Sequence, residues 1–179
     1  MSAQSHDAEQ ERREQGPSAS PTQPRPLFIY GTLCAPELLA WALIGDAANT
    51  QQVAGLASPA RVTGYKRYAV NHCDYPAVVE HDGPDSVVHG YLLRLDTQVQ
   101  RKKLDNFEGD TYKAVAVAVD VLDDDGQPIG ESVDADMYLW DGDMSLLSSE
   151  PWDLNTFITE RLGDWLDLFE GVEMVGDDE

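Results

Sequence analysis

Basic residues are scarce in this chain. Among 179 residues only 12 are Lys or Arg, four of them Lys, against 33 Asp and Glu, for a formal charge of −21. A surface so acidic repels phosphate backbones and anionic membranes, so neither nucleic acid nor a membrane surface is an expected partner. Cysteine is nearly missing as well: Cys34 and Cys73 alone make no disulfide framework. No apolar run approaches the ~20 residues of a membrane span. The opening stretch MSAQSHDAEQERREQGPSAS lacks the apolar segment of a secretory signal. His6, His72, His81 and His89 show no ligand spacing of the HExxH kind, so no metal site and no cofactor is expected. DDDG at 123–126 starts like a calcium loop, but Asp134 stands where the closing Glu belongs, and a solvated turn is the reading. These absences leave the cytoplasm as the default compartment.

What is present fits one domain. A 42% hydrophobic content over this length can bury a real core. Residues 1–25, rich in Gln, Ser, Pro and charge, read as a disordered tail, and 26–175 as the folded domain. Asp outnumbers Glu, 21 to 12, and this Asp-rich, Lys-poor composition resembles that of proteins from salty cytoplasms. It predicts stability that rises with salt, because salt screens self-repulsion.

The apolar run LFIYGTL (27–33) predicts a buried strand entering a tight turn at Gly31. CAPELLAWALIG predicts a short helix, with Pro36 in its first turn and Gly45 as its stop. Strands are predicted at 60–70, 75–80, 86–95 and 111–122, the last placing Val115, Val117, Val119 and Val121 on one face. A turn at 123–130 returns the chain into a strand at 133–140. A helix is predicted over 96–107 with Asp96 as N-cap, and another over 152–171, where Leu154, Ile158, Leu162, Trp165 and Phe169 form a stripe. Trp140, Trp152 and Trp165 read as core. The pattern is α+β: a curved mixed sheet or a small barrel with flanking helices.

Two fragments stand out for chemistry. YGTL (30–33) puts a glycine at a strand end, where unobstructed N–H groups can meet a carboxylate or an oxyanion. LDNFEG (104–109) recurs almost unchanged as LDLFEG (166–171), each copy with a Glu between Phe and Gly. In the first, Leu104, Phe107 and Glu108 share one side of a helix that turns at Gly109 into the Val-rich strand, a place where a carboxyl can be desolvated. In the second, Glu170 lies about 100° from the apolar stripe, by ~3.6 residues per turn, and should stay wet. His72, Cys73 and Asp74 are adjacent in an extended segment, so their side chains diverge and cannot form a relay.

LFIYGTL, DYPAVV (74–79), VHGYLLRL (88–95), LDNFEGDTY (104–112) and ADMYLW (135–140), in this order, resemble the gamma-glutamylcyclotransferase-like family, in its avirulence-induced-gene-type branch. The resemblance implies a small mixed β-barrel with flanking helices. It implies that Tyr30, Gly31, Thr32 and Leu33 hold the glutamyl end of a small γ-glutamyl substrate, and that Glu108 is the acid/base that drives its cyclisation to 5-oxoproline, without a metal. An unperturbed Glu near ~4.3 is a poor base for an α-amine near ~8, so this role requires a shielded Glu108 with a pKa raised towards ~7. One position departs: many relatives carry Arg two residues after the Tyr that follows the Glu motif, and here Tyr112 is followed by Lys113 and Ala114. The alternative function is a non-catalytic binding or regulatory domain of the same fold.

Overall fold

The computed structural model describes residues 23–169. The predicted tail up to residue 22 and the predicted wet Glu170 lie outside the described residues. Strand β1 is Leu27–Ile29, followed by a 3-10 turn at Thr32–Cys34 and by helices α1 (Pro36–Ile44) and α2 (Thr50–Ala54). Then come β2 (Ala57–Thr63), β3 (Tyr65–Ala69), β4 (Pro76–Glu80), β5 (Val87–Leu93) and α3 (Gln98–Glu108). The chain continues through β6 (Tyr112–Leu122) and β7 (Pro128–Trp140) to α4 (Leu154–Glu160) and α5 (Leu162–Phe169).

The sheet closes. Its order is β1-β5-β2-β6-β7, and β1 returns to β7 in parallel register, Leu27 opposite Asp136 and Phe28 opposite Met137. All other barrel pairs are antiparallel. Alternation along each strand divides the apolar residues into two cores. Phe28, Val62, Val88, Leu92, Val119 and Met137 belong to one, which fills the barrel. Leu27, Ile29 and Leu93 belong to the other, where Leu38, Leu39, Trp41, Leu104 and Phe157 from the helices pack on the outside of the sheet. At the open N-terminal side Pro24 is already buried and Arg25 Nε meets Asp136 Oδ1 at 3.0 Å, so packing begins before residue 26.

Several elements differ from their predicted form. The stretch 60–70 is two strands, because Gly64 at φ 93° turns the chain out of the barrel. Its second half pairs with β4 in a separate hairpin, which lies against Trp140 through Val70 and Ala77. The N-cap of α3 is Thr97, not Asp96: Thr97 Oγ1 accepts from Gln100 N, and Gln100 Oε1 accepts from Thr97 N, a reciprocal capping box. Strand β7 starts five residues earlier than predicted, because the turn is tighter: Asp123 Oδ1 accepts the N–H groups of Asp125 and Gln127. DDDG is therefore an exposed turn whose first carboxylate is used by its own backbone. The predicted helix 152–171 breaks at Arg161, at φ −122°, into α4 and α5, and Phe157, outside the predicted stripe, is its most buried aromatic.

Candidate active site

The site forms where β1 ends. Tyr30 is buried, and its hydroxyl donates to the carbonyl of Tyr138 on β7. Its own carbonyl accepts from Arg67 Nη1 at 2.7 Å. Held on both sides, the chain turns: Cys34 N donates to Gly31 O at 2.9 Å, and Ala35 N to Thr32 O at 3.0 Å. Thr32 and Leu33 are buried in this turn. The glycine is not explained by a left-handed backbone, since Gly31 has φ −120°. It is explained by close approach: a Cβ at Gly31 would lie 3.1 Å from the ring of Pro76, at the start of β4. Gly90, in VHGYLLRL, has the same kind of reason, because a Cβ there would sit 2.0 Å from the carbonyl oxygen of Ile29.

Glu108 reaches this turn from the last position of α3. Leu104, fully buried, anchors the helix to the outer core, and Phe107 packs beside it. Gly109 at φ 76° ends the helix and gives its N–H to Asp105 O at 3.2 Å. A narrow cleft of about 20 Å³ lies between the turn and the helix end. Tyr30, Gly31, Thr32, Leu33 and Glu108 all line it, so the two fragments singled out in the sequence meet at one place. The residue Glu108 keeps some surface, but its carboxyl is packed about by protein. Burial first, and the charge of Asp105 second, raise its pKa to about 8.

Three phenols border the same carboxyl, and each has its proton committed elsewhere. Tyr30 donates to Tyr138 O, Tyr112 to Pro76 O at 2.7 Å, and Tyr138 to Asp105 Oδ1 at 2.7 Å. Burial raises the pKa of all three; the charge of Glu108 comes next for Tyr30 and Tyr112, whereas for Tyr138 the bond to Asp105 and its charge come before Glu108. Among the described residues no side chain donates a hydrogen bond to Glu108, which leaves the carboxyl available to a ligand. Tyr75, Pro76, Tyr112 and Tyr138 line the cleft but were not assigned to it from sequence. The signal was there: each lies inside one of the fragments DYPAVV, LDNFEGDTY and ADMYLW.

The cleft opens into a larger chamber of about 390 Å³, and Thr32, Tyr75, Glu108 and Tyr112 line both. Trp165 and Phe169 of α5 form part of its wall, so Trp165 is not only core, whereas Trp140 and Trp152 are buried. The tripeptide His72-Cys73-Asp74 is a turn rather than an extended segment, with His72 at φ 62°. Asp74 serves structure: its carboxylate accepts from Trp165 Nε1 at 2.8 Å and Arg161 Nε at 3.1 Å, and its carbonyl from Trp152 Nε1 at 2.7 Å. No group of His, Cys, Asp and Glu among the described residues is arranged to hold a metal ion. No helix among them is long and apolar enough to cross a membrane.

A closed five-stranded barrel, with a glycine turn at the end of its first strand facing a buried carboxyl at a helix end, defines a small α+β barrel protein with a pocket built around one acid. The family model described as gamma-glutamyl cyclotransferase, AIG2-like, matches residues 27–165, and the chain belongs to that family. Protein AIG2 C of Arabidopsis thaliana is 27% identical over 123 residues, a match that spans 69% of this chain and 66% of that protein. The fold is similar to the solution structure of At3g28950.1 from Arabidopsis thaliana, at 23% identity and TM-score 0.55, covering 86% of this chain and 83% of that one. It is also similar to the crystal structure of an AIG2-like protein from Mus musculus, at 18% identity and TM-score 0.51, covering 74% and 87%.

Proposed function

We propose that this protein is a gamma-glutamylcyclotransferase-like enzyme that converts a small γ-glutamyl amide or peptide to 5-oxoproline and a free amine, with Glu108 as base and then acid. The observation that carries the reading is the Glu108 carboxyl: it borders the cleft opposite the Gly31–Leu33 turn, with a pKa raised to about 8 and no protein donor on it among the described residues. That value lies close to the ~8 of an α-amino group, so proton transfer between them is nearly balanced; from an ordinary Glu it would be uphill by ~5 kcal/mol.

The substrate supplies its own nucleophile. Its α-ammonium gives a proton to Glu108, and the amine nitrogen attacks the γ-carbonyl carbon, closing a five-membered ring. The attack is intramolecular, so a correctly folded substrate chain provides most of the proximity advantage. We assign the developing oxyanion to the N–H groups around Gly31–Leu33, in the turn that lines the cleft. As the γ-amide C–N bond breaks, Glu108 returns its proton to the departing nitrogen. The ring nitrogen sheds its second proton to solvent, and the released amine takes one up. The cleft has room for little more than a water-sized group, so the reading places the reacting carbonyl at its mouth beside Glu108 and the rest of the substrate in the adjoining chamber. Cys34 and Cys73, both unpaired, favour a reducing compartment, which we take to be the cytoplasm.

Incubation with γ-glutamyl dipeptides, glutathione and γ-glutamyl-lysine, followed by detection of 5-oxoproline, tests the reading. Release from one of them, lost in Glu108→Gln with the fold intact, supports it. Binding without release from any of them would leave the non-catalytic domain instead.

A further inference from the structure

The chamber beside the cleft is built mainly of rings. Trp41, Tyr75, Phe107, Tyr112, Trp165 and Phe169 line it, and the lining holds no Lys or Arg among the described residues; its one ionisable carboxyl is Glu108. We propose that it receives the departing half of the substrate, and that this half is apolar and carries no charge while it is held as the γ-amide, an arylalkylamine being the best fit. The inference rests on the cyclisation proposed above and adds the leaving-group class.

Three observations converge on it. The volume, about 390 Å³, falls within the range of small-molecule sites and exceeds what one ring needs. The rings of the wall already pack on one another with no ligand present. Trp41 and Phe169 stack at 4.7 Å and 15°, Phe107 and Trp165 meet Phe169 edge-on at 6.2 and 5.9 Å, and Asp74 holds Trp165 through its indole N–H at 2.8 Å. A preformed aromatic wall rewards a flat apolar group without an ordering cost. Finally, a leaving amine that carried a carboxylate, as an amino acid or peptide does, would enter a space that no cation among the described residues lines, in a chain of net charge −21. Apart from Glu108, its polar lining among the described residues is neutral, the side chains of Thr32, Asn106 and Thr111 and the Tyr75 and Tyr112 hydroxyls, and none supplies the opposite charge that would offset the loss of its hydration.

The test compares 5-oxoproline release from γ-glutamyl-benzylamide, γ-glutamyl-glycine and γ-glutamyl-putrescine, whose leaving groups are apolar, anionic and cationic. The expected order of kcat/KM puts the benzylamide first by about tenfold or more, the size of one good aromatic contact. Phe169→Ala should reduce that lead by about tenfold. Thr111→Arg, which places a cation on an exposed position of the chamber rim, should raise the glycine substrate relative to the benzylamide. Equal rates, or a preference for the glycine or putrescine compound, would overturn the assignment. A second arm does not depend on turnover: N-acetylbenzylamine, against N-acetylglycinate, is titrated into Glu108→Gln while tryptophan fluorescence from Trp41 and Trp165 is followed. Selective binding of the benzyl compound with no 5-oxoproline from any substrate would keep the chamber and remove the cyclisation; no selectivity would remove the chamber.

Discussion

Two carboxyls occupy the last turn of α3, three residues apart, in opposite surroundings. Asp105 accepts from Arg101 Nε at 2.9 Å and from the Tyr138 hydroxyl at 2.7 Å, and Arg101 reaches on to Asp136 Oδ2 at 2.7 Å. That network ties α3 to β7. Glu108 has no such donor among the described residues, borders three phenols that give their protons away, and is raised to about 8. One acid is paired and structural; the other is desolvated and unpaired. The difference comes from environment rather than residue type, which is how one turn of helix can hold both a fixed charge and a candidate base.

The sharpest way to break the contrast is to remove the unpaired acid. Glu108→Gln keeps the shape of the side chain and should lower kcat/KM for 5-oxoproline release by about 10²–10⁴-fold, the ordinary contribution of a positioned acid/base, with an unchanged circular dichroism spectrum. In the wild type kcat/KM should rise with pH through about 8, as Glu108 loses its proton. A flat profile from pH 6 to 9 would mean that another group, or none, takes the proton.

Stability should respond with the opposite sign. The folded-state pKa of Glu108 is about 8 and its ordinary value 4.5, so between these two pH values the folded state holds a proton that the unfolded chain has released. Stability from this group is complete below about 4.5 and is lost as pH rises towards 8. Glu108→Gln cannot ionise, so its denaturant midpoint should gain on the wild type across that window and hold the gain above it. A constant offset at all pH values would contradict a buried ionisable group.

A smaller effect is expected from the paired acid. Asp105→Asn removes the charge that is the second cause of the Glu108 shift, so the midpoint of the kcat/KM profile should move to lower pH while activity persists. It also weakens the bonds to Arg101 and Tyr138, at about 1 kcal/mol for each hydrogen bond impaired. A midpoint that stays in place would assign the whole shift to burial.

The contrast between these acids was half legible in the sequence. Leu104, Phe107 and Glu108 fall on one helical side by spacing alone, and Gly109 marks the stop, so the end of α3 could be read. Nothing in LDNFEG says that Arg101 and Tyr138 would take Asp105, because those partners come from one turn back and from β7, 33 residues on. The strand alternation of Val117, Val119 and Val121 disclosed the barrel wall, but closure depends on the pairing of Leu27 and Phe28 with β7, a contact of more than 100 residues' separation. Gly31 was read for its freedom to turn; its real constraint, the ring of Pro76, comes from another hairpin. The break at Arg161 did leave a signal, Gly163 two residues on, which weakens a helix interior, but the stripe of Leu154, Ile158, Leu162 and Trp165 runs across it and reads as one helix.

Salt separates the buried acid from the exposed ones. Most of the acids that make up the −21 charge lie on the surface, as Asp123, Asp124 and Asp125 do, where molar salt shortens the screening length to about 3 Å. Their mutual repulsion should fall, and the melting temperature should rise between 0.1 and 2 M KCl. The pKa of Glu108 has burial as its larger cause, which salt does not reach, and the Asp105 charge only as its second. Its kinetic midpoint should therefore move little over the same range. If the midpoint followed salt as strongly as the melting temperature, Glu108 would be a surface acid like the rest, and the distinction drawn at the end of α3 would fail.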